Sequence, residues 1–281
     1  EHQRLIPGST APTLVGRLAS GPEYPSLRVY TLGRFSLVKD GVPLRYNRKA
    51  PSKPLLLLKA LIAAGGRQVA GSSLATILWP DTDGDRAQQT FETTLHRLRK
   101  YLGDDCYIVM EDGRVTLNSS LVWVDVWSFE RSVTELHHQL QHATAPQDME
   151  RVTEHAENML HTYQGHFLSR DETTCWSVSL QERLRSKYLH CIVELGSFWE
   201  QHGLWNKAIF CYRKGVEVDD LVETFYQRLM VCYRETGRQP EAIAAYHQCQ
   251  RILSVVLGLK PLEDTRAIYQ SILEQQHYKA G

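Results

Sequence analysis

One stretch of the chain concentrates side chains that bind nucleic acid. Between Asp85 and Leu102 the apolar residues recur every three or four positions, which is the spacing of a helix with one buried stripe. The opposite side carries hydrogen-bonding and cationic side chains: Arg86, Gln89, Thr93, His96, Arg97 and Lys100. Amide and guanidinium groups pair with base edges in the major groove, and cations neutralise phosphates. The pattern predicts a DNA-reading helix, although a solvated helix face would have a similar composition.

A β-hairpin is predicted directly after this helix. Tyr107-Ile-Val-Met and Val115-Thr-Leu flank the turn Glu111-Asp112-Gly113-Arg114, and Gly103 ends the helix. A helix followed by a two-stranded ribbon can place the helix in the groove and the ribbon on the adjacent backbone. The predicted contacts to the DNA backbone are Lys49, Lys53 and Arg114.

The elements that must position this helix precede it. Leu27-Arg-Val-Tyr-Thr-Leu alternates, and Phe35-Ser-Leu-Val leads into the turn Lys39-Asp40-Gly41, which indicates a hairpin. A third strand is predicted at Leu44-Arg-Tyr. Helices are predicted over two ranges that begin near a capping serine and end at glycine or proline: Ser52–Ala64 and Ser72–Trp79. The order of strands, three helices and a hairpin favours DNA binding.

The second half of the chain is predicted to be helical and carries an internal repeat. Three positions recur after 34 residues: Gly203 with Gly237, Ala208 with Ala242 and Tyr212 with Tyr246. This is the tetratricopeptide period, in which helix pairs stack through small and aromatic residues and a glycine frees the turn. Earlier helices that extend the same solenoid are predicted at 126–142, 147–163 and 178–202.

Composition narrows the class of protein. The 281 residues are 42% apolar and 23% charged. The densest apolar stretch, Leu55–Ala64, is far shorter than the roughly 20 residues of a membrane span. We therefore expect a globular protein with no membrane segment and no secretion signal. Six cysteines without a C-x-x-C pair indicate reduced, buried thiols in the cytoplasm. Glu at position 1 indicates a piece of a longer or processed protein.

The charge is divided unevenly along the chain. Residues 27–131 hold 15 Lys and Arg against 11 Asp and Glu, whereas residues 132–281 hold 15 against 19. A basic first part indicates that this part meets a polyanion. We expect a linker rich in proline and glycine at 1–26, a winged-helix DNA-binding domain at 27–122 and a tetratricopeptide-like domain at 123–281.

Taken in order, these motifs resemble the SARP-type bacterial regulators, in which an OmpR-type winged helix precedes a bacterial transcriptional activator domain. The resemblance covers about residues 27–275. In the first part it rests on Leu32-Gly33-x-Phe35, Asp40-Gly41, Lys53-Pro54-Leu-Leu-x-Leu, Leu78-Trp79-Pro80 and Leu95-His-Arg-Leu-Arg-Lys-Tyr-Leu-Gly103. In the second it rests on Val124-Asp125-x-x-x-Phe129-Glu130, Tyr163-x-Gly165-x-Phe167-Leu168, Trp176, Glu182-Arg183-Leu184, Gly237-Arg238-x-x-Glu241-Ala242, Gly258-Leu-x-Pro261 and Thr265-Arg266-Ala267.

The resemblance implies an α+β winged helix-turn-helix followed by an all-α, tetratricopeptide-like solenoid. It also implies a sequence-specific transcriptional activator, located with the nucleoid in the cytoplasm, whose third helix reads promoter DNA and whose wing carries Arg114. A nearby surface of such regulators touches the sigma subunit of RNA polymerase, and the candidates here are Asp81, Asp83 and Asp85. A homodimer on direct repeats and an upstream signalling domain of the ATPase type are further expectations.

Other classes of function lack a complete motif. His138 and His142 lie one helical turn apart beside Glu135, but a third metal ligand would have to come from elsewhere, and a polar helix face explains them. The chain has no Gly-x-Ser-x-Gly and no Gly-x-x-x-x-Gly-Lys, so we expect no catalytic site, no metal site and no cofactor. The alternative that stays open is a tetratricopeptide-like adaptor whose winged helix does not bind DNA.

Overall fold

The computed structural model describes residues 25–44, 52–143, 146–169, 171 and 175–279. The strands are β1 (Leu27–Tyr30), β2 (Ser36–Lys39), β3 (Val42–Pro43), β4 (Val69–Ala70), β5 (Ile108–Glu111), β6 (Arg114–Leu117) and β7 (Val122–Val124). The helices are α1 (Ser52–Ala63), α2 (Gly71–Leu78), α3 (Gly84–Leu102), α4 (Asp125–His142), α5 (Pro146–Thr162), α6 (Cys175–Gln201), α7 (Trp205–Val218), α8 (Glu223–Glu235), α9 (Gln239–Ile252) and α10 (Glu263–Lys279). A 3-10 turn spans Asp105–Tyr107 and a π-helical turn spans Leu253–Leu257.

The first sheet joins strands from the two ends of the amino-terminal domain. Its order is β3-β2-β1-β7, with β1 antiparallel to β2 and parallel to β7. Leu27, Val29 and Leu37 point inward and are buried, whereas the residues that alternate with them lie on the outer face. Because β7 extends to Val124, the expected domain boundary at 122/123 falls within a strand of this sheet. The division into domains stays a prediction.

The three helices α1, α2 and α3 enclose the core beneath that sheet. The buried side chains of α1 include Leu57, Leu58 and Leu61. The close approach of α2 and α3 depends on Gly71, the first residue of α2. A Cβ at this position would lie 2.9 Å from the Phe91 ring, so a larger residue would push the two helices apart.

The wing is a three-stranded sheet in the order β4-β6-β5. Strands β5 and β6 form the predicted hairpin, in which Glu111 lies opposite Arg114. The two turn residues, Asp112 and Gly113, both have positive φ angles of 47° and 73°. Positive φ at both positions defines a type I′ turn, whose twist matches that of the flanking strands. Strand β4, which no sequence pattern predicts, adds a third strand beside β6.

The helices that follow form the solenoid that the 34-residue period predicts. Helices α7 and α9 are offset by 34 residues at both ends, and the glycines before them, Gly203 and Gly237, have φ angles of 68° and 70°. Only glycine adopts this left-handed conformation without strain. In the first repeat a Cβ at Gly196 would lie 2.4 Å from the Tyr212 ring, so this glycine lets α6 and α7 pack closely.

Asp125 ties the sheet to the helical domain. Its buried carboxylate accepts hydrogen bonds from the Thr31 amide at 2.5 Å, the Thr31 hydroxyl at 2.7 Å and the Leu32 amide at 2.7 Å, and also from the Val126 amide at 2.8 Å. The segment after α5 adds backbone bonds, from Gly33 N to the His166 carbonyl at 3.0 Å and from Leu168 N to the Thr31 carbonyl at 2.8 Å. These bonds form a joint between the two halves of the chain.

Several sequence predictions need correction. The third strand lies at Val42–Pro43 rather than at Leu44-Arg-Tyr, whose last two residues fall outside the described part. At the end of the predicted linker 1–26, the Ser26 carbonyl accepts a hydrogen bond from Asp40 N at 2.7 Å, and the linker itself stays a prediction. Residues 1–24 lie outside the described part. Two of the six cysteines, Cys106 and Cys175, are exposed, so only four are the buried thiols that were expected.

Candidate nucleic-acid interface

The predicted reading helix is α3, and both of its ends are capped. At the start, the Asp83 carboxylate accepts from Gly84 N at 3.0 Å, and Asp85 lies in the first turn, where a negative charge complements the helix dipole. At the end, Gly103 takes a φ of 80° and its amide donates to the Arg99 carbonyl at 2.9 Å. The helix therefore starts one residue before the predicted Asp85 and ends at the predicted Leu102.

The two faces of α3 are separated as the periodicity predicted. The buried face consists of Ala87, Phe91, Thr94, Leu95, Leu98 and Leu102. The opposite face is exposed at all six of the predicted base-reading positions, namely Arg86, Gln89, Thr93, His96, Arg97 and Lys100. A helix fixed along one side by packing can present its other side to a groove as a rigid surface. Their role in reading bases stays a prediction.

All three threonines on α3 use their hydroxyl groups inside the helix, including the part-buried Thr94, whose Oγ1 donates to the Thr90 carbonyl at 2.7 Å. Thr93 Oγ1 donates to the Gln89 carbonyl at 3.0 Å, and Thr90 Oγ1 donates to the Arg86 carbonyl at 2.7 Å. The hydroxyl proton of Thr93 is therefore occupied, which leaves its oxygen lone pairs and its methyl group for a ligand. A methyl group favours contact with thymine in the major groove.

The wing places cations at the edge of the same domain. Arg114 is exposed beside the hairpin turn, and its Nη1 donates to the Gln68 carbonyl at 3.0 Å, so part of its guanidinium stays available. Arg67, which the sequence analysis did not select, is exposed and lines the same surface depression as Arg114. Its signal in the sequence is a cation directly after Gly65-Gly66, but only the pairing of β4 with β6 brings it to the wing.

The remaining predicted positions are the two lysines proposed for the DNA backbone and the three aspartates proposed for the polymerase. Lys53 is exposed in the first turn of α1, whereas Lys49 lies outside the described residues. Asp81, Asp83 and Asp85 are all exposed around the start of α3. Asp83 also has the capping role, which is a structural reason for an acid at this position.

Few acidic side chains lie near the cationic groups of α3. Glu92, on the flank of the exposed face, is engaged by Gln88 Nε2 at 3.1 Å. Arg99 belongs to the fold rather than to the surface, since its Nε donates to the Ile108 carbonyl at 2.9 Å and links α3 to the hairpin. Glu111 and Asp112 at the wing tip are the acids closest in sequence to Arg114.

The histidine pair on α4 shows no geometry for a metal. The rings of His138 and His142 stack at 4.4 Å between centroids, and His142 Nδ1 lies 2.8 Å from the His138 carbonyl oxygen. Among the described residues, no group of three histidine, cysteine, aspartate or glutamate side chains could hold a metal ion. Within that same part of the chain, no helix is long and apolar enough to cross a membrane.

Comparison with known proteins agrees with this architecture. The family model described as the bacterial transcriptional activator domain matches residues 124–273. Regulatory protein AfsR of Streptomyces griseus is 26% identical over 227 residues, which cover 77% of this chain and 22% of AfsR. Transcriptional regulatory protein MoaR1 of Mycobacterium bovis is 23% identical over 245 residues, which cover 83% of this chain and 78% of MoaR1.

A solved structure has the same fold. The structure of Mycobacterium tuberculosis EmbR in complex with a low affinity phosphopeptide matches with a TM-score of 0.66 and 20% identity, over 89% of this chain and 65% of that chain. The chain spans about a fifth of the length of AfsR and about two thirds of the EmbR chain. A winged helix-turn-helix followed by a tetratricopeptide-like solenoid is the fold that this chain shares with that structure. The chain belongs to the bacterial transcriptional activator domain family.

Proposed function

We propose that this chain binds promoter DNA in a sequence-specific manner and activates transcription by recruiting RNA polymerase. The observation that carries the proposal is the division of α3 into a fully packed face and an exposed face bearing Arg86, Gln89, Thr93, His96, Arg97 and Lys100. The family and the regulators to which the chain is similar support it.

The proposed roles follow from side-chain chemistry. The amide of Gln89 and the guanidinium of Arg97 can each make two hydrogen bonds to one base, and such a pair contributes about 1–3 kcal/mol of discrimination. Lys53 on α1, with Arg67 and Arg114 at the wing, neutralises phosphates, which adds affinity for every sequence alike. Lys49, outside the described residues, is proposed for the same role.

We propose that the acidic loop before α3 contacts the polymerase. Asp81, Asp83 and Asp85 are exposed where α2 meets α3, which leaves them accessible beside a helix seated in the groove. Their negative charge complements a basic DNA-binding region such as the one in a sigma subunit. The site of action is then the nucleoid in the bacterial cytoplasm, and an upstream signalling domain would supply the input.

A homodimer on direct repeats completes the proposal. Its candidate contact surface is the aliphatic segment that follows α9, where Val255, Val256, Leu257, Leu259 and Leu262 are 48–79% exposed. Contiguous apolar surfaces of this kind mark protein–protein contacts. Analytical sedimentation with DNA that carries two operator repeats should show two copies of the native chain bound to each duplex. The Val255→Asp variant should form this two-copy complex more weakly. Equal pairing by both proteins would exclude this surface.

The experiment that tests DNA binding is selection of bound sequences from random duplex DNA by residues 1–281, followed by footprinting. Arg97→Ala is expected to lower the affinity for the selected operator about 10-fold or more and the affinity for random DNA only slightly, because the change removes a base contact. Lys53→Ala is expected to lower the affinity for operator and for random DNA by the same factor. It should also reduce the salt dependence of DNA binding by the equivalent of about one phosphate contact. Matched controls are Arg131→Ala and Lys260→Ala, two exposed cations outside the interface.

The adaptor alternative makes a different prediction in the same assay. An adaptor would yield no selected motif, and its weak affinity for duplex DNA would change little with salt. A regulator with several phosphate contacts loses orders of magnitude between about 50 and 200 mM salt. Equal losses for Arg97→Ala and Lys53→Ala on operator and random DNA would overturn the assigned roles.

A further inference from the structure

A wide cleft lies on the outer face of the first sheet, away from α3. It has a volume of about 1450 Å³ and is lined by β1, β2, β3 and β7 together with the carboxyl end of α5. Ligand pockets in proteins are commonly several hundred to 1,000 Å³ and tend to lie where domains meet. This cleft is wide enough for a small molecule and is bounded by both halves of the chain.

Two aromatic rings form its floor. Residues of β1 and β7 alternate between the core and the outer face, and Tyr30 and Trp123 fall on the outer face, half-buried. Their ring centroids are 5.2 Å apart with an interplanar angle of 59°. Aromatic rings that are partly accessible on a sheet provide a stacking surface for a planar aromatic group, and base stacking on such rings is worth about 1–3 kcal/mol.

Two arginines supply positive charge to the cleft. Arg28 lies on β1 directly opposite Trp123 in the parallel register, and Arg34 follows in the loop between β1 and β2. Neither guanidinium forms an ion pair within the described residues. The acid of the lining is Asp125, whose carboxylate is buried and already accepts four hydrogen bonds at the joint. The cleft therefore has positive charge available for a ligand.

Aromatic rings beside arginines match one ligand chemistry. A nucleotide combines a planar ring system with phosphate, and guanidinium groups bind phosphate oxygens through paired hydrogen bonds. We propose that this cleft binds a free nucleotide, with the base on Tyr30 and Trp123 and the phosphates on Arg28 and Arg34. The site is separate from α3 and the wing, so it stands independently of the proposed DNA binding.

Calorimetric titration of residues 1–281 with each of the four ribonucleoside 5′-triphosphates tests the proposal. At least one of them is expected to bind once per chain with a Kd below about 1 mM. The matching nucleoside and inorganic phosphate are each expected to bind at least about 10-fold more weakly. The nucleoside keeps only the stacking contacts, and inorganic phosphate keeps only the contacts with the arginines. Arg34→Gln, at an exposed loop position, is expected to weaken binding about 10-fold or more, as is Arg28→Gln.

The control is Arg131→Gln, which removes the same charge from the exposed side of α4 and should leave the Kd unchanged. Thermal unfolding of each variant checks that the fold is retained. The proposal is overturned if no triphosphate binds at about 1 mM, or if Arg34→Gln binds as tightly as the native chain. It is also overturned if a single-stranded tetranucleotide binds much more tightly than any triphosphate, since the cleft would then be a strand-binding surface.

Discussion

Replacing Asp125 by alanine is expected to destabilise the protein more than any surface substitution. The change leaves four donors without their acceptor, namely the amides of Thr31, Leu32 and Val126 and the Thr31 hydroxyl. Thr31 is fully buried and Leu32 is 3% exposed, so water does not readily replace the carboxylate. A buried donor without a partner costs about 1–3 kcal/mol, and four of them give a loss of about 3–5 kcal/mol with partial relaxation. That is a large part of a typical free energy of unfolding.

Asp125→Asn separates hydrogen bonding from packing. Asparagine has the same shape and keeps one oxygen, which can still accept from the two backbone amides that share Oδ2. The Thr31 hydroxyl can rotate to accept from the new amide, whereas the Val126 amide loses its acceptor. We therefore expect a loss of about 1–2 kcal/mol for asparagine, well below that for alanine.

Urea unfolding followed by circular dichroism measures both variants, and Asp220→Ala, an exposed aspartate on the solenoid, is the control. The control should stay within about 0.5 kcal/mol of the native chain. For a chain of this size the alanine variant should also melt lower by about 6–15 °C. A loss below about 1 kcal/mol for Asp125→Ala, or equal losses for alanine and asparagine, would refute the reasoning from unsatisfied donors.

Three further predictions concern the thiols and the repeat. A thiol reagent at neutral pH should label two cysteines in the native chain, Cys106 and Cys175, and all six in denaturant; Cys106 should react more slowly, because Asp104 raises its pKa. Burial raises the pKa of Cys191 and Cys211 to about 12 and also raises the pKa of Cys232 and Cys249, against about 8.5 for an unfolded thiol. The free energy of unfolding should therefore fall as pH rises from about 9 to 11, by about 1.4 kcal/mol per pH unit for each of Cys191 and Cys211. Cys191→Ala should reduce that slope by one thiol in urea titrations, and an unchanged slope would contradict the assignment. Gly196→Ala should cost about 1–3 kcal/mol by the same assay, since the new Cβ meets the ring of its packing partner on α7, and a neutral effect would show that the two helices can separate.

Local patterns were enough to predict most of the secondary structure. The start and end of α3 differ from the prediction by at most one residue, because its caps and its apolar period are both local signals. The same holds for the hairpin turn at Asp112 and Gly113 and for the 34-residue offset of α7 and α9. The exposure of the six polar positions on α3 also follows from the period alone, since burying one face leaves the other in solvent.

Features that depend on distant contacts were missed. Strand β4 has two residues and β7 has three, too short for a recognisable alternation, and each is a strand only because it pairs with a distant partner. Arg67 joins the wing through one of these pairings. The cleft above Tyr30 and Trp123 has the same origin, because its two rings are more than ninety positions apart and meet only where β7 pairs with β1.

The sequence by itself determined the helices, the hairpin, the repeat and the exposed face of α3, because periodicity and capping act within a few residues along the chain. The tertiary structure decided where those elements stand relative to one another. Asp125 shows the physical reason: its position in the sequence marks only the start of a helix, whereas its four hydrogen bonds arise when the fold brings Thr31 and Leu32 to the same buried point.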